Sequence, residues 1–138
     1  MLFRSGWSGK KGDKINMPCS IHTDGSGLTL HDKHIGGHPE WAEGNLLIGR
    51  QGDKQIFYDV DKKKVVGQLG TPKMFRKPEG DISLSSSGQW FVNGYKKDKK
   101  GEKNYYAVYR RTDGAFARSE GVDKGFYSGD MRIDPAAS

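Results

Sequence analysis

Residues 80–121 read GDISLSSSGQWFVNGYKKDKKGEKNYYAVYRRTDGAFARSEG, and this stretch predicts four short strands. Two runs of aromatic and β-branched residues, 90–92 and 105–109, are bounded by Gly, Ser, Asn or charged residues, which is typical of strands. A polar/apolar alternation at 81–84 precedes these runs, and an Asp-Gly turn leads into a final run at 115–117. Four short strands within about 40 residues indicate one small antiparallel sheet.

The composition favours an all-β chain. Only 33% of the 138 residues are hydrophobic and 20 are Gly, a balance that suits many short strands joined by tight turns. No segment has sustained helical periodicity, and no apolar run approaches the length of a membrane span, so no membrane partner is predicted. Cys19 is the only cysteine, which excludes an intrachain disulfide.

The net charge is +6, and much of it lies in two lysine-rich runs, residues 62–64 and 96–100. Binding of nucleic acid requires basic side chains gathered on one face, whereas these runs fall in different predicted loops. Solvated hairpin tips explain the two runs better. We therefore predict no nucleic-acid partner.

Two patterns recur along the chain. In the first, a strand leads through an Asp-containing turn into a shorter strand, at residues 18–30, 56–66 and 106–116. In the second, a Gly stands immediately before His38, Asp81 or Asp130, each at the start of a strand. A period of roughly 45 residues is typical of radial β-repeats. His38, Asp81 and Asp130 are then equivalent positions that converge on a central channel.

The repeats predict an incomplete β-propeller with two full four-stranded antiparallel blades and partial blades at both ends. The parts are an N-terminal tail (1–15) that is non-native or disordered at its start, the end of a blade (16–36), a blade (37–79), a blade with a Lys-rich hairpin insert (80–128), and the first strand of a further blade (129–138). Blades bury their faces against neighbours, so such a fragment is expected to self-associate through its exposed faces. The true N-terminus is expected to lie upstream, which leaves a periplasmic and a cytoplasmic location in a bacterium both open.

Three segments resemble the WD40-like repeats of TolB-type propellers, and among these the oligogalacturonate-lyase-like propellers of bacteria. The segments are TDGSGL at 23–28, GHPEW at 37–41 and DISLSSSGQW at 81–90, the last with Ser86 and Ser87 where the usual motif has Pro and Asp. The resemblance implies β-elimination of short acidic (uronate) oligosaccharides. It also implies a divalent metal, Mn or Ca, and a basic residue that removes the proton beside the sugar carboxylate.

The repeat and the resemblance together nominate a site. His38, Asp81 and Asp130 are the predicted metal ligands, since imidazole and carboxylate groups suit a divalent ion. Arg132 is the predicted catalytic residue, because a guanidinium offsets the charge of a substrate carboxylate. Two structural alternatives remain open. One is that His38, Asp81 and Asp130 each serve only to hydrogen-bond a neighbouring blade. The other is that Arg132 forms a salt bridge with Asp130 or Asp134. The alternative function is a non-catalytic propeller that binds a protein or glycan ligand.

Five other residues receive structural predictions. His31 and His34 have a spacing that can chelate, but a solvated loop is the better prediction for both. His22 is predicted to lie at the surface. Trp41 and Trp90 can stack on sugar rings, yet core packing is predicted for both, and for Trp90 this prediction rests on its alignment with Leu46.

Overall fold

The computed structural model describes residues 2–7, 15–31, 35–75, 81–96 and 103–123. All regular secondary structure in these ranges is β-strand, arranged in three antiparallel sheets, which confirms the predicted all-β class. None of these residues belongs to a helix that is long and apolar enough to cross a membrane.

The first sheet has three strands in the order β1-β2-β3. They are β1 (Leu2–Trp7), β2 (Ile15–Ser20) and β3 (Thr29–Leu30). The predicted Asp turn connects β2 to β3, and the Asp24 carboxylate caps it by accepting hydrogen bonds from the Ser26 backbone N–H (2.9 Å) and hydroxyl (2.7 Å). Strand β1 lies in the segment that the sequence assigns to an N-terminal tail, where no apolar alternation signals a strand.

The second and third sheets are meanders in which strands consecutive in the chain are also neighbours. The second sheet has the order β4-β5-β6-β7, with β4 (Gly36–Trp41), β5 (Leu46–Gln51), β6 (Lys54–Asp59) and β7 (Lys64–Leu69). The third has the order β11-β10-β9-β8, with β8 (Ile82–Leu84), β9 (Trp90–Lys96), β10 (Lys103–Arg110), β11 (Phe116–Arg118) and a short β12 (Val122–Asp123) beside β10. The four strands predicted within residues 80–121 are confirmed as β8 to β11.

The central strands of the second sheet, β5 and β6, are buried on both faces. Successive side chains of a strand point to opposite faces, so neighbouring apolar residues enter different cores. On one face Leu47, Ile56 and Tyr58 form a cluster toward the first sheet, and on the other Ile48 enters the core shared with the third sheet. This sandwiched position explains the three consecutive apolar or aromatic residues in each strand, 46–48 in β5 and 56–58 in β6.

Phe75 is the centre of the core between the second and third sheets. It belongs to the connection from β7 to β8, and its ring makes edge-to-face contacts with three aromatic rings of the third sheet. Their centroid distances are 5.3 Å to Phe91, 6.1 Å to Tyr109 and 5.9 Å to Phe116. The connection therefore fastens one sheet to the next by apolar burial.

Arg111 joins the same two sheets through polar contacts. From the β10–β11 turn, its Nη1 donates hydrogen bonds to Glu43 Oε1 and to the Gly88 carbonyl, both at 2.6 Å. Its guanidinium also lies 5.0 Å from the centre of the Phe57 ring. Gly88 has a φ of +68°, and a Cβ there would overlap the Glu43 carboxylate, so this turn requires glycine.

The predicted core packing of Trp90 and Trp41 is wrong. Trp90 is 40% exposed and Trp41 36% exposed. Trp90 does align with Leu46, but Leu46 is only half-buried, and the fully buried residues are the next ones in each strand, Leu47 and Phe91. The Trp90 ring instead lies under the guanidinium of Arg110 at 5.1 Å.

Candidate functional site

A bulge in β4 sets the position of His38. Gly36 stands opposite Arg50 and Glu40 opposite Ile48, so residues 37–39 lie across from Gly49 alone. Pro39 has no N–H to donate to the ladder, which favours an irregular strand here. A Cβ on Gly49 would overlap the Ile35 side chain, so glycine at this position lets the bulged strand approach closely. Bulges of this kind redirect side chains and are frequent beside functional sites.

Asp81 is held at the start of β8 by its own backbone. Its carbonyl accepts hydrogen bonds from the Gly94 N–H (2.8 Å) and from the buried Asn93 side-chain amide (3.3 Å), both on β9. The carboxylate is not needed for these contacts. It is therefore available to groups on the neighbouring sheet.

The structure brings His38 and Asp81 together. Strands β4 and β8, the first strands of the second and third sheets, are in contact, and His38 Nδ1 pairs with Asp81 Oδ1. The His38 side chain is 70% exposed and that of Asp81 34% exposed. A carboxylate on Nδ1 fixes the orientation and tautomer of an imidazole and presents Nε2 for binding or proton transfer. We call this arrangement the His38–Asp81 pair.

The other two predicted site residues, Asp130 and Arg132, lie outside the described residues. So does His34.

The described residues do not by themselves fit a divalent metal. Two of the three predicted ligands are present, but they contact each other instead of surrounding a common point. Within the described ranges there is no group of three or more His, Cys, Asp or Glu side chains that could hold an ion. A metal at the His38–Asp81 pair would need at least one further ligand.

Two other aspartates are occupied in hairpin turns. Paired guanidinium nitrogens of Arg110 donate to both carboxylate oxygens of Asp113 at 2.8 and 2.6 Å, and this contact lowers the pKa of Asp113 to about 2. The Lys62 ammonium donates to Asp59 at 2.7 Å and, with the Lys62 backbone N–H, lowers the pKa of Asp59. Both carboxylates are neutralised within their own turns, and Lys62 to Lys64 are exposed as predicted.

The predicted solvated position of His31 is wrong. Its side chain is fully buried between the first and second sheets, where Nε2 lies 2.9 Å from the Ser20 hydroxyl and Nδ1 lies 3.2 Å from the Tyr58 hydroxyl. The His31 and Tyr58 rings also meet edge to face at 5.4 Å. The residue therefore ties two sheets together. The surface position predicted for His22 is confirmed.

A cleft of about 550 Å³ lies where the β2–β3 loop meets two turns of the second sheet. Its walls include His22 from the loop, Trp41 and Asn45 beside the β4–β5 turn, and Asp61 and Lys63 from the β6–β7 turn. Sequence reasoning missed this grouping because the three segments are separated in the chain and Trp41 was assigned to the core.

Comparison of the chain with protein-family models, with curated proteins and with solved structures finds no match, and the geometry of the molecule itself therefore carries the functional conclusion.

Proposed function

We propose that the second and third sheets are successive blades of a β-propeller, and that the protein binds an acidic oligosaccharide at the His38–Asp81 pair. The supporting observation is that the first strands of two consecutive antiparallel meanders touch, and that His38 of one pairs with Asp81 beside the other. A shared apolar core between the meanders is also what neighbouring blades require.

The chemistry of the pair suits a carboxylate-bearing sugar. The chain carries a net charge of +6, which attracts anionic ligands. An exposed imidazole whose Nδ1 is held by a carboxylate presents Nε2 either as a hydrogen-bond donor or as a base. His38 therefore contacts the sugar, and Asp81 positions His38.

If the protein is catalytic, the reaction is β-elimination at a uronate residue. His38 Nε2 accepts the proton from the carbon that bears the sugar carboxylate. The electron pair of that C–H bond forms a double bond to the adjacent carbon, and the glycosidic C–O bond of that carbon breaks. The leaving oxygen takes up a proton, so one chain becomes an unsaturated and a saturated product. Arg132 is the proposed partner of the substrate carboxylate, and a divalent metal, Mn²⁺ or Ca²⁺, would supply further charge stabilisation.

The alternative is a non-catalytic propeller that binds a glycan or protein ligand. The described residues bring together one imidazole and one carboxylate. Two such side chains are sufficient to bind a ligand but are few for a catalytic site, which favours this alternative.

Calorimetric titration of the full chain with digalacturonate tests the proposal, with and without added Mn²⁺ or Ca²⁺. We expect saturable binding that His38→Ala weakens by at least about tenfold, as for the removal of a central contact residue. Asp81→Asn should weaken binding as well, whereas Asp53→Asn, a change at an exposed turn, should not. Absorbance of unsaturated uronate products then separates the enzyme from the binding module. Binding that His38→Ala leaves unchanged would exclude the pair as the site.

A further inference from the structure

We infer that the cleft between the first and second sheets is a second ligand site, which binds a pyranose sugar ring on Trp41. This site is distinct from the His38–Asp81 pair. His38 lies in the bulged part of β4, whereas Trp41 is the last residue of that strand. Beyond Trp41, the cleft is lined by residues of the β2–β3 loop, the β4–β5 turn and the β6–β7 turn.

The lining of the cleft combines the features that sugar recognition requires. Trp41 contributes an aromatic surface that is 36% exposed, on which the apolar C–H face of a sugar ring can stack. Asp61, Asn45 and Thr23 contribute hydrogen-bond donors and acceptors for the hydroxyl groups of a sugar. Lys63 contributes a positive charge. The volume of about 550 Å³ lies within the range of small-molecule sites and accommodates one or two sugar rings. The mixture of both charge signs with an aromatic wall favours a polar ring over an apolar ligand.

The walls of the cleft are fixed before any ligand arrives. The Asn45 side-chain amide donates to Asp61 Oδ2, and the Val60 N–H donates to the Asn45 carbonyl at 3.0 Å, so the two turns of the second sheet are locked together. Buried Asp59 holds the β6–β7 turn through the backbone N–H groups of Asp61 and Lys62. A preformed site loses little conformational entropy on binding.

The opposite wall is equally constrained. The His22 N–H donates to the Ser26 carbonyl at 2.9 Å, and the Gly25 N–H donates to the His22 carbonyl at 3.0 Å, which closes the β2–β3 loop into a tight turn. Gly27 has a φ of +67°, and a Cβ there would overlap the His22 imidazole, so the ring lies directly against this glycine. His22 is thereby held at the cleft instead of extending freely into solvent.

Ligand-observed NMR titration with galactose and with galacturonate tests the inference. The titrations use the full chain carrying His38→Ala, which removes the proposed first-strand site, so that a remaining signal reports the cleft. We expect saturable binding that Trp41→Ala weakens by at least about tenfold, as for loss of a central aromatic contact. Trp41→Tyr should retain most of it. Equal affinities for the two sugars would mean that the ring alone is recognised, and a preference for galacturonate that Lys63→Gln abolishes would place the carboxylate at Lys63.

Trp90→Ala is the matched control, since Trp90 is similarly exposed but lies on the third sheet away from the cleft. Asp61→Asn, a change in an exposed turn, gives a second test if Trp41→Ala fails to fold, and it should weaken binding by at least about fivefold. The absence of saturation with both sugars would overturn the inference. So would equal losses from Trp41→Ala and Trp90→Ala. Either result would leave the His38–Asp81 proposal standing, because that site is absent from these titrations.

Discussion

Replacing Phe91 by Ala removes the largest fully buried side chain among the described residues of the third sheet from the core shared with the second. Phe91 has no exposed surface, and its ring contacts Phe75 edge to face at 5.3 Å. Truncation of a buried Phe to Ala in a close-packed core costs about 3–5 kcal/mol, from lost transfer energy and the cavity left behind. We expect about 4 kcal/mol here, which is a large share of the roughly 5–15 kcal/mol that stabilises a typical domain.

The adjacent residue provides the matched control. Trp90→Ala deletes an even larger side chain, but one that is 40% exposed and lies under the Arg110 guanidinium. Its cost should be about 2 kcal/mol, from the cation–π contact and from the part of the ring that is buried. Phe91→Leu, which keeps most of the buried volume, should cost about 1 kcal/mol and remain folded if Phe91→Ala does not.

Urea unfolding of the full chain, followed by circular dichroism, measures these free energies of unfolding. The alternation of faces along β9 predicts a difference of about 2 kcal/mol between Phe91→Ala and Trp90→Ala. Equal losses, or a larger loss for Trp90→Ala, would mean that the inward and outward faces of β9 are exchanged. The shared core between the two sheets would then be wrongly assigned.

Three further predictions concern the turns and the sheet contacts. The folded pKa of Asp113, about 2, lies below its ordinary value of 3.8, so Asp113 stabilises the protein above about pH 4. The difference in free energy of unfolding between the wild-type chain and Asp113→Asn should therefore shrink as pH falls toward 2. A difference that stays constant with pH would contradict the contact between Asp113 and Arg110. Tyr58→Phe removes the hydroxyl beside buried His31 and should cost about 1–3 kcal/mol by urea unfolding, whereas no cost would mean that this hydrogen bond is absent. Gly49→Ala places a methyl group against Ile35 and should cost about 1–3 kcal/mol, and a neutral or stabilising result would exclude the close approach at the β4 bulge.

Local chemistry made much of the fold predictable. The aromatic run at 105–109 lies in β10, and the run at 90–92 lies in β9. The Asp turns appear where expected because a short carboxylate side chain caps the backbone N–H groups of its own turn, as Asp24 and Asp113 do. The contact of His38 with Asp81 joins two positions that the sequence pattern predicts to converge, each in or beside the first strand of its sheet.

The remaining features depend on contacts between segments distant in the chain. His31 looks like a loop residue in the sequence, but contacts with Ser20 of the first sheet and Tyr58 of the second accompany its burial. Trp41 and Trp90 are apolar enough for a core, but the register of β4 and β9 turns them outward. The cleft beside Trp41 arises from such tertiary pairing, which no local pattern encodes.

The meeting of the first strands of two consecutive sheets is the central claim, and cysteine cross-linking tests it most directly. A full chain carrying His38→Cys and Asp81→Cys is treated with a short bifunctional thiol reagent, and the linked peptides are identified by mass spectrometry. Native Cys19 is buried and reacts slowly. We predict efficient cross-linking of positions 38 and 81, because their native side chains are in contact. We predict little cross-linking of positions 38 and 87 in a chain with His38→Cys and Ser87→Cys, because Ser87 lies in the turn beyond the other end of β8. A folded protein that forms no 38–81 cross-link, or that links 38 to 87 equally well, would contradict the account.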